Sequence, residues 1–323
     1  MNPTTAVIIA TKDRAEALEK YSLPSLSRSD YADFAVVVWD AGLDGSARKV
    51  AEKKRPYFLE YVKAPRVGLA SQRNDAVAHV MDKWRDVKYI VFIDDDSELS
   101  HDALSGVVEG FLRNDAWGIN IPIQVPDGKG YWLSRLLNLQ NRVVLTPFLY
   151  NLPACLGDRP GAEIEFISGC GMALRAELFR DHRMKFPEPF ELFGGYALGE
   201  DFAFSFFIHE KLQKKLINSP KGHLIHHVHG GARLDAKRMM AARRHNMHLL
   251  FEAIYEDAPK LKYFFFKILF KGVFFMALLR QMVLSKNLDP FKGYLEARSA
   301  LKRGAKVFDE ELIGHRRPPP VRL

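Results

Sequence analysis

Three consecutive carboxylates, Asp94, Asp95 and Asp96, follow the apolar run Tyr-Ile-Val-Phe-Ile without a spacer. Carboxylates this close repel one another, and holding them at the mouth of a buried strand is costly unless a cation or hydrogen-bond donors neutralise them. A hard divalent ion, Mn2+ or Mg2+, suits the task because it takes oxygen ligands and bridges phosphates. Alternation along the strand sends Asp94 and Asp96 to one side and Asp95 to the other. Taken alone, the triplet fits equally well a solvated turn that caps a helix starting near Ser100, or an aspartate-directed phosphotransferase. A second acidic pair, Glu200-Asp201, opens a predicted helix, where acids also favour the positive end of the helix dipole. Four histidines, His223, His226, His227 and His229, follow it. A zinc site built from several of them is one reading of that cluster.

The elements that must position these groups are legible. Thr5 to Ala10, Phe34 to Trp39 and Tyr89 to Ile93 are short apolar runs rich in β-branched residues, as expected of strands buried on both faces. Arg14 to Leu26, interrupted near Pro24, and Ala70 to Trp84 have helical spacing. Strand and helix alternate, so a parallel sheet covered by helices is expected, with ligands beyond the carboxyl ends of the strands. Thr11 to Asp13, Asp40 and Asp94 to Asp96 each follow a strand end and should converge on one rim. Ile119 to Gly161 reads as loops around short strands. Ile164 to Leu174 reads as an interrupted strand, Asp201 to Leu212 as a helix, Leu224 to His229 as a short strand, and the chain from Ala236 onward as helical.

In this order the motifs resemble family-2 glycosyltransferases with the nucleotide-sugar-binding GT-A fold, over residues 5 to 235. Val7-Ile-Ile-Ala-Thr11-Lys12-Asp13-Arg14 resembles the opening strand and base-binding turn, with Lys12-Asp13 where Tyr/Arg-Asn is commoner. Asp40-Ala-Gly-Leu-Asp44-Gly-Ser resembles the second-strand Asp and its follow-on. Gly68-Leu-Ala-Ser-Gln-Arg73-Asn74 is similar to the Gly-x-x-x-x-Arg-Asn helix start, Phe92-Ile-Asp94-Asp95-Asp96 to the metal-binding Asp-x-Asp motif, and Gly199-Glu200-Asp201-Phe202 to the Glu-Asp motif that supplies the catalytic base.

The resemblance implies an α/β, Rossmann-like mixed sheet flanked by helices over residues 1–235, followed by a basic helical extension over 236–323. It implies that Thr11 and Asp13 line the base pocket and that Asp40 bonds the base or ribose. Arg73 would reach a phosphate or the acidic cluster. Asp94 would contact the ribose, Asp95 would lie on the nucleotide-sugar side, and Asp96 would ligate Mn2+ or Mg2+. The metal-binding histidine falls among His226, His227 and His229, with His227 first in expectation and His229 next. Asp201 would act as general base with inversion at the anomeric carbon, and Glu200 would orient base or acceptor. Phe166 to Arg175 would form the floor between donor and acceptor, its Gly169 and Gly171 admitting the sugar and its Cys170 packing rather than reacting. The Gln-x-x-Arg-Trp motif of processive members is absent, so a non-processive enzyme is expected. A UDP-linked donor leads the expectation, with dTDP- and GDP-linked donors open. The acceptor would be a glycan or lipid-linked hydroxyl, in bacterial surface glycan synthesis by family analogy. The competing readings are a nucleotidyltransferase of similar fold and a non-catalytic binding protein with a basic tail.

Bulk properties agree with such a chain. Its 323 residues are 47% hydrophobic and 27% charged, enough to bury a sizeable core. Two cysteines, Cys155 and Cys170, form no Cys-x-x-Cys pair, which argues against a structural zinc and suits a reducing compartment. No signal peptide is expected from the first residues, so the expected location is cytoplasmic, and peripheral on the inner face of the plasma membrane if the tail docks there. Residues 236–323 hold 18 Lys and Arg against 8 Asp and Glu, so a near-neutral body carries a cationic tail suited to an anionic partner. The tail lacks a nucleic-acid-binding motif, so no nucleic-acid partner is expected. Leu261 to Met282 is long, aromatic and broken by Lys262, Lys267, Lys271 and Arg280: a poor spanning helix, but suited to a membrane surface, to packing on the catalytic domain or to a homodimer.

Overall fold

Consecutive β-branched and aromatic residues build the centre of the sheet. The structure, a computed structural model, describes residues 2–124, 159–195, 197–227, 235–255 and 258–303. Strands β1 (Thr5–Thr11), β2 (Phe34–Asp40), β3 (Phe58–Lys63) and β4 (Tyr89–Asp94) are parallel and lie in the order β3-β2-β1-β4. The chain leaves β1 toward β2 and β3 and returns on its other side as β4. That reversal opens a crevice at the carboxyl ends of β1 and β4, where ligands of such sheets bind. Register brings Thr11 beside Asp40 and Ala10 beside Asp94. The expected rim therefore exists.

Beyond β4 the sheet is mixed. A short strand β5 (Ser97–Leu99) leaves it, and β6 (Gly118–Asn120), β7 (Glu163–Ile164), β8 (Gly171–Arg175) and β9 (Leu216–Asn218) complete the order β4-β8-β6-β9-β7, with β6 and β9 parallel and the other pairs antiparallel. The last strand, β10 (Leu224–His226), pairs antiparallel with β5 in a separate two-stranded sheet. The expected strand over Ile164 to Leu174 is thus two strands, since the Ser-Gly-Cys-Gly segment between them turns toward the site.

Burial explains the strand patterns. Ala6, Ile8, Val37 and Phe92 face one core cluster, and Val7, Ile9, Val36 and Val91 face the other. With both faces covered, no polar alternation is needed. The first cluster is closed by α1 (Leu69–Lys83), whose Ala70, Val77 and Val80 are buried, and the second by α2 (Ala103–Asn114) through Leu104, Val107 and Phe111. The stretch after β1 is one helical run of three pieces, Ala15–Ala17, Leu18–Ser22 and Leu23–Leu26. Its middle piece is a π turn, with Leu23 N–H donating to the Leu18 carbonyl. The widened turn relieves the clash that Pro24 would make with the preceding turn, so the proline bends the helix without ending it.

The C-terminal helices add a further layer to the first cluster. These are α3 (Glu200–Phe206), α4 (Ala236–Tyr255), α5 (Lys260–Ser285) and α6 (Asp289–Leu301). Met240, Leu249, Phe251, Phe270 and Phe274 belong to the same buried set as Phe92 and Phe204. Asn246 of α4 donates to the Phe190 and Leu198 carbonyls at 2.9 and 3.1 Å, so α4 holds the chain that leads into Glu200.

Candidate active site

Strand β4 carries Asp94 to the rim, and the turn after it carries Asp95 and Asp96. β10 returns beside β5 with His226 opposite Ser97, and the His227 N–H donates to the Asp96 carbonyl at 3.0 Å. This pairing sets His226 against the carboxylates: its Nε2 lies 3.0 Å from Asp96 Oδ1 and 3.6 Å from Asp94 Oδ2. One ligand atom from each of the three residues falls within 4.8 Å of the others, a grouping able to hold a metal ion. His227, the residue first expected here, turns away. It meets Glu98 at 2.8 Å and stacks on Tyr21 at 3.9 Å between ring centroids. The register of β10 on β5 aims His226 at the carboxylates, and the next residue points the other way. His229 lies outside the described residues.

The triplet divides as alternation predicts, but its surroundings do more. Asp95 is turned inward, accepting from Thr11 Oγ1 at 2.7 Å. Arg14, a residue with no role assigned from sequence, spans Asp95 at 3.0 Å and Asp96 at 2.5 Å. Burial pushes Asp95 up to about 7, against Arg14. Burial also opposes ionisation of Asp96, but His226 and Arg14 outweigh it and bring that carboxyl down to about 2. Asp94 is raised by burial, opposed by Arg73 and His226. The hydrogen bond to Asp96 holds His226 above the usual imidazole range, against burial.

Several residues expected to touch the nucleotide make hydrogen bonds within the fold. Thr11 and Asp95 satisfy each other, and both are buried. Asp40 is 1% exposed, and its carboxylate accepts from Gly42 N–H at 2.7 Å and Tyr61 hydroxyl at 2.8 Å. Asp13 stands exposed at the rim with a left-handed φ of 55°, and its Oδ1 accepts from Leu43 N–H at 3.1 Å. The turns after β1 and β2 are thereby tied together, and Asp13 remains the one of these four side chains that is open to solvent.

Arg73 is the hub of the second half of the site. It is 2% exposed and donates to Glu200 Oε1 and to the Gly169 carbonyl, both at 2.8 Å, while reaching Asp94 Oδ1 at 3.5 Å. Its guanidinium lies over Phe92 and Phe186, 5.7 and 5.3 Å from their ring centroids. Of its two expected partners the acidic cluster is within reach, through Asp94. Gly199, at φ 89°, makes the left-handed turn that starts α3, and a Cβ there would meet Met247 Cε at 3.2 Å. The turn presents Asp201 to the Ser168–Gly171 segment: Oδ2 accepts from Gly169 N–H at 3.0 Å and Oδ1 from Phe202 N–H at 2.8 Å. Burial raises both Glu200 and Asp201, and for Glu200 the neighbouring Asp201 charge adds to it.

Gly171 does not open a path to sugar. A Cβ there would lie 2.4 Å from Leu224 Cδ2 and 3.0 Å from the Ile121 carbonyl oxygen, so this glycine lets β10 pack on β8. Cys170 is buried with its thiol pushed up to about 12 by burial, which leaves it packed and protonated.

One side of the crevice thus offers two carboxylates and an imidazole, and the other an acid pair, Glu200 held by Arg73 and Asp201 by backbone N–H groups. The sequence model described as glycosyl transferase family 2 matches residues 6–183, more than half of the chain. The chain belongs to glycosyl transferase family 2. No curated protein matches it. Solved structures share the fold. TarS 1–349 of S. aureus in complex with UDP-GlcNAc has a TM-score of 0.57 and 18% identity, over 96% of this chain and 82% of that one. Mannosyltransferase PcManGT from Pyrobaculum calidifontis, in complex with GDP-Man and Mn2+, has a TM-score of 0.55 and 17% identity, over 94% and 75%. A longer S. aureus TarS chain has a TM-score of 0.51 and 17% identity over 84% of this chain, which spans 43% of that one. The family-2 protein is accordingly a glycosyltransferase with a GT-A-type mixed sheet.

Proposed function

We propose that this glycosyltransferase is metal-dependent, inverting and non-processive, and moves a sugar from a nucleoside-diphosphate sugar to a glycan or lipid-linked hydroxyl in surface glycan synthesis. The observation that carries the proposal is Arg73, whose one guanidinium joins Asp94 on the metal-binding side to Glu200 beside Asp201. Donor phosphates and acceptor hydroxyl would then meet within the span of a single side chain.

The residues fit a divalent ion. Asp96 Oδ1 is buried and lies 3.0 Å from His226 Nε2, and Asp94, Asp96 and His226 each offer a ligand atom within 4.8 Å of the others. Two carboxylates and an imidazole would hold Mn2+ or Mg2+, with the imidazole favouring Mn2+. When bound, the ion supplies Lewis-acid stabilisation of the departing diphosphate. Asp201, unprotonated, removes the acceptor proton as that oxygen attacks the anomeric carbon. The bond from that carbon to the phosphate oxygen breaks, and the nucleoside diphosphate leaves. The Gly169 and Phe202 N–H groups hold the base in one orientation. Arg73 donates to Glu200 beside it and holds Gly169 in place through its carbonyl.

A UDP-linked donor ranks first and a GDP-linked donor second, following the ligands named for TarS and PcManGT; dTDP-sugars complete the screen. The test measures nucleoside diphosphate release from each donor with and without Mn2+. Metal-dependent release that Asp201→Asn abolishes is expected. Release of pyrophosphate instead would make the chain a nucleotidyltransferase and overturn the proposal.

A further inference from the structure

Helix α5 is 26 residues long and buries one side, against α4 and α6. Phe270, Phe274 and Leu278 form that seam, with Phe251 stacked on Phe270 at 5.0 Å and Tyr255 beside Phe266 at 5.2 Å. The opposite side is apolar along its whole length. Leu261, Phe264, Phe265, Ile268, Phe275 and Leu279 recur at helical spacing and are all exposed, Phe265 and Phe275 at 57% each. Leu288, Phe291 and Leu295 extend the exposed apolar surface onto α6.

The charges around this face are placed as a lipid surface would require. At 3.6 residues per turn, Lys262 and Arg280 fall on one flank of the apolar side and Lys260 and Lys271 on the other. No Asp or Glu occurs from residue 258 to 288, and among the described residues no carboxylate pairs with these four cations. Cations that border an apolar stripe can bury their stems in hydrocarbon while their heads meet phosphate. A second protein copy would bring the same cations face to face with no acid between them, so charge complementarity favours anionic lipid. A spanning role does not fit, although the helix is long and apolar enough to cross. Its seam is part of the protein core, and Lys267, midway along, reaches Glu252 of α4 at 3.1 Å.

We infer that the outer face of α5, continued by α6, docks the enzyme on an anionic phospholipid bilayer, with the helix lying in the headgroup plane. α4 packs on α5 and, through Asn246, holds the Phe190 and Leu198 carbonyls that lead into Glu200 and Asp201. Docking would therefore hold the acid pair close to the bilayer surface, where a lipid-linked acceptor presents its hydroxyl. A bilayer carrying anionic lipid on its cytoplasmic leaflet fits the peripheral location expected from the tail. The inference does not depend on the sugar-transfer reading, because vesicle binding is measured without donor.

The test sediments the full chain with phosphatidylcholine vesicles, with and without phosphatidylglycerol. Retention on the anionic vesicles, falling as salt rises, is expected. Lys262→Gln with Arg280→Gln should weaken partitioning about 30-fold, at roughly one kcal/mol per cation near the surface. Phe265→Glu with Phe275→Glu should abolish retention while leaving the thermal melt and nucleotide release unchanged. Equal retention of wild type and the glutamate variant would overturn the inference, as would no retention of wild type. A wild-type dimer that the glutamate variant splits, with neither held by vesicles, would assign the face to a second copy instead.

Discussion

Replacing Arg73 by Met removes the cation on which both halves of the site depend while keeping much of the volume between Phe92 and Phe186. Glu200, 6% exposed, would lose its 2.8 Å partner, the Gly169 carbonyl would lose its donor, and Asp94 would lose a cation at 3.5 Å. Removing one partner of a buried hydrogen-bonded pair costs about 3–5 kcal/mol, because the polar groups left behind stay buried without it. That is a large share of the roughly 5–15 kcal/mol that stabilises a typical fold. A drop in Tm of about 4–7 °C is expected at pH 8 for a chain of 323 residues. The loss has a defined pH dependence. Without Arg73 the Glu200 carboxyl, already raised by burial, rises further above its unfolded value. A carboxyl raised in the folded state favours folding at low pH, and that contribution is lost as pH rises through the folded pKa. The deficit of the variant should therefore shrink at pH 5. Adding Glu200→Gln to Arg73→Met should recover part of the loss at pH 8, giving a coupling of about 1–3 kcal/mol in the double-mutant cycle. Thermal melts of the four proteins at both pH values measure all of this. A single variant within 2 °C of wild type at pH 8 (about 1 kcal/mol or less) would refute the assignment of Arg73 as a bridge.

Three further outcomes follow from the same geometry. Asp201→Asn should lower kcat by about 10²–10⁴ with donor affinity little changed, as titration calorimetry beside turnover would show. Because burial raises the Asp201 pKa and only the unprotonated base is active, the acid limb of the wild-type rate profile should lie above the ordinary carboxylate range; a limb near pH 3.8 would contradict it. His226→Ala should weaken Mn2+ binding at least about 10-fold while His227→Ala, which loses only Glu98 and Tyr21 contacts, should not, as Mn2+ titration would reveal.

Much of this was legible in the residues because the physical cause was local. β1, β2 and β4 are buried on both faces, so each shows as an unbroken apolar run, and a parallel sheet puts all three carboxyl ends on one rim. The costly run Asp94-Asp95-Asp96 at one of those ends marked the site, and Gly199-Glu200-Asp201 marked its second half. Strand β3 escaped notice because it is an edge strand whose residues are partly exposed, leaving no apolar run to read. Arg14 escaped because a single arginine after a strand has no pattern. Its value appears only once Asp95 and Asp96 arrive from some eighty residues away.

What the sequence by itself determined is therefore the inventory: an alternating α/β sheet, an acidic strand end, a second acid pair, a set of histidines nearby and a cationic apolar tail. Tertiary structure alone decided the assignments. The choice of His226 over His227 turns on how β10 registers with β5, which alternation cannot supply without the partner strand. The hydrogen bonds of Thr11, Asp40 and Arg73 come from neighbours distant in the chain. The tail's apolar residues divide into a core seam and an open face only because α4 and α6 cover one side of α5. Each of these outcomes is a long-range contact, and composition and spacing carry no term for the residue that arrives from elsewhere.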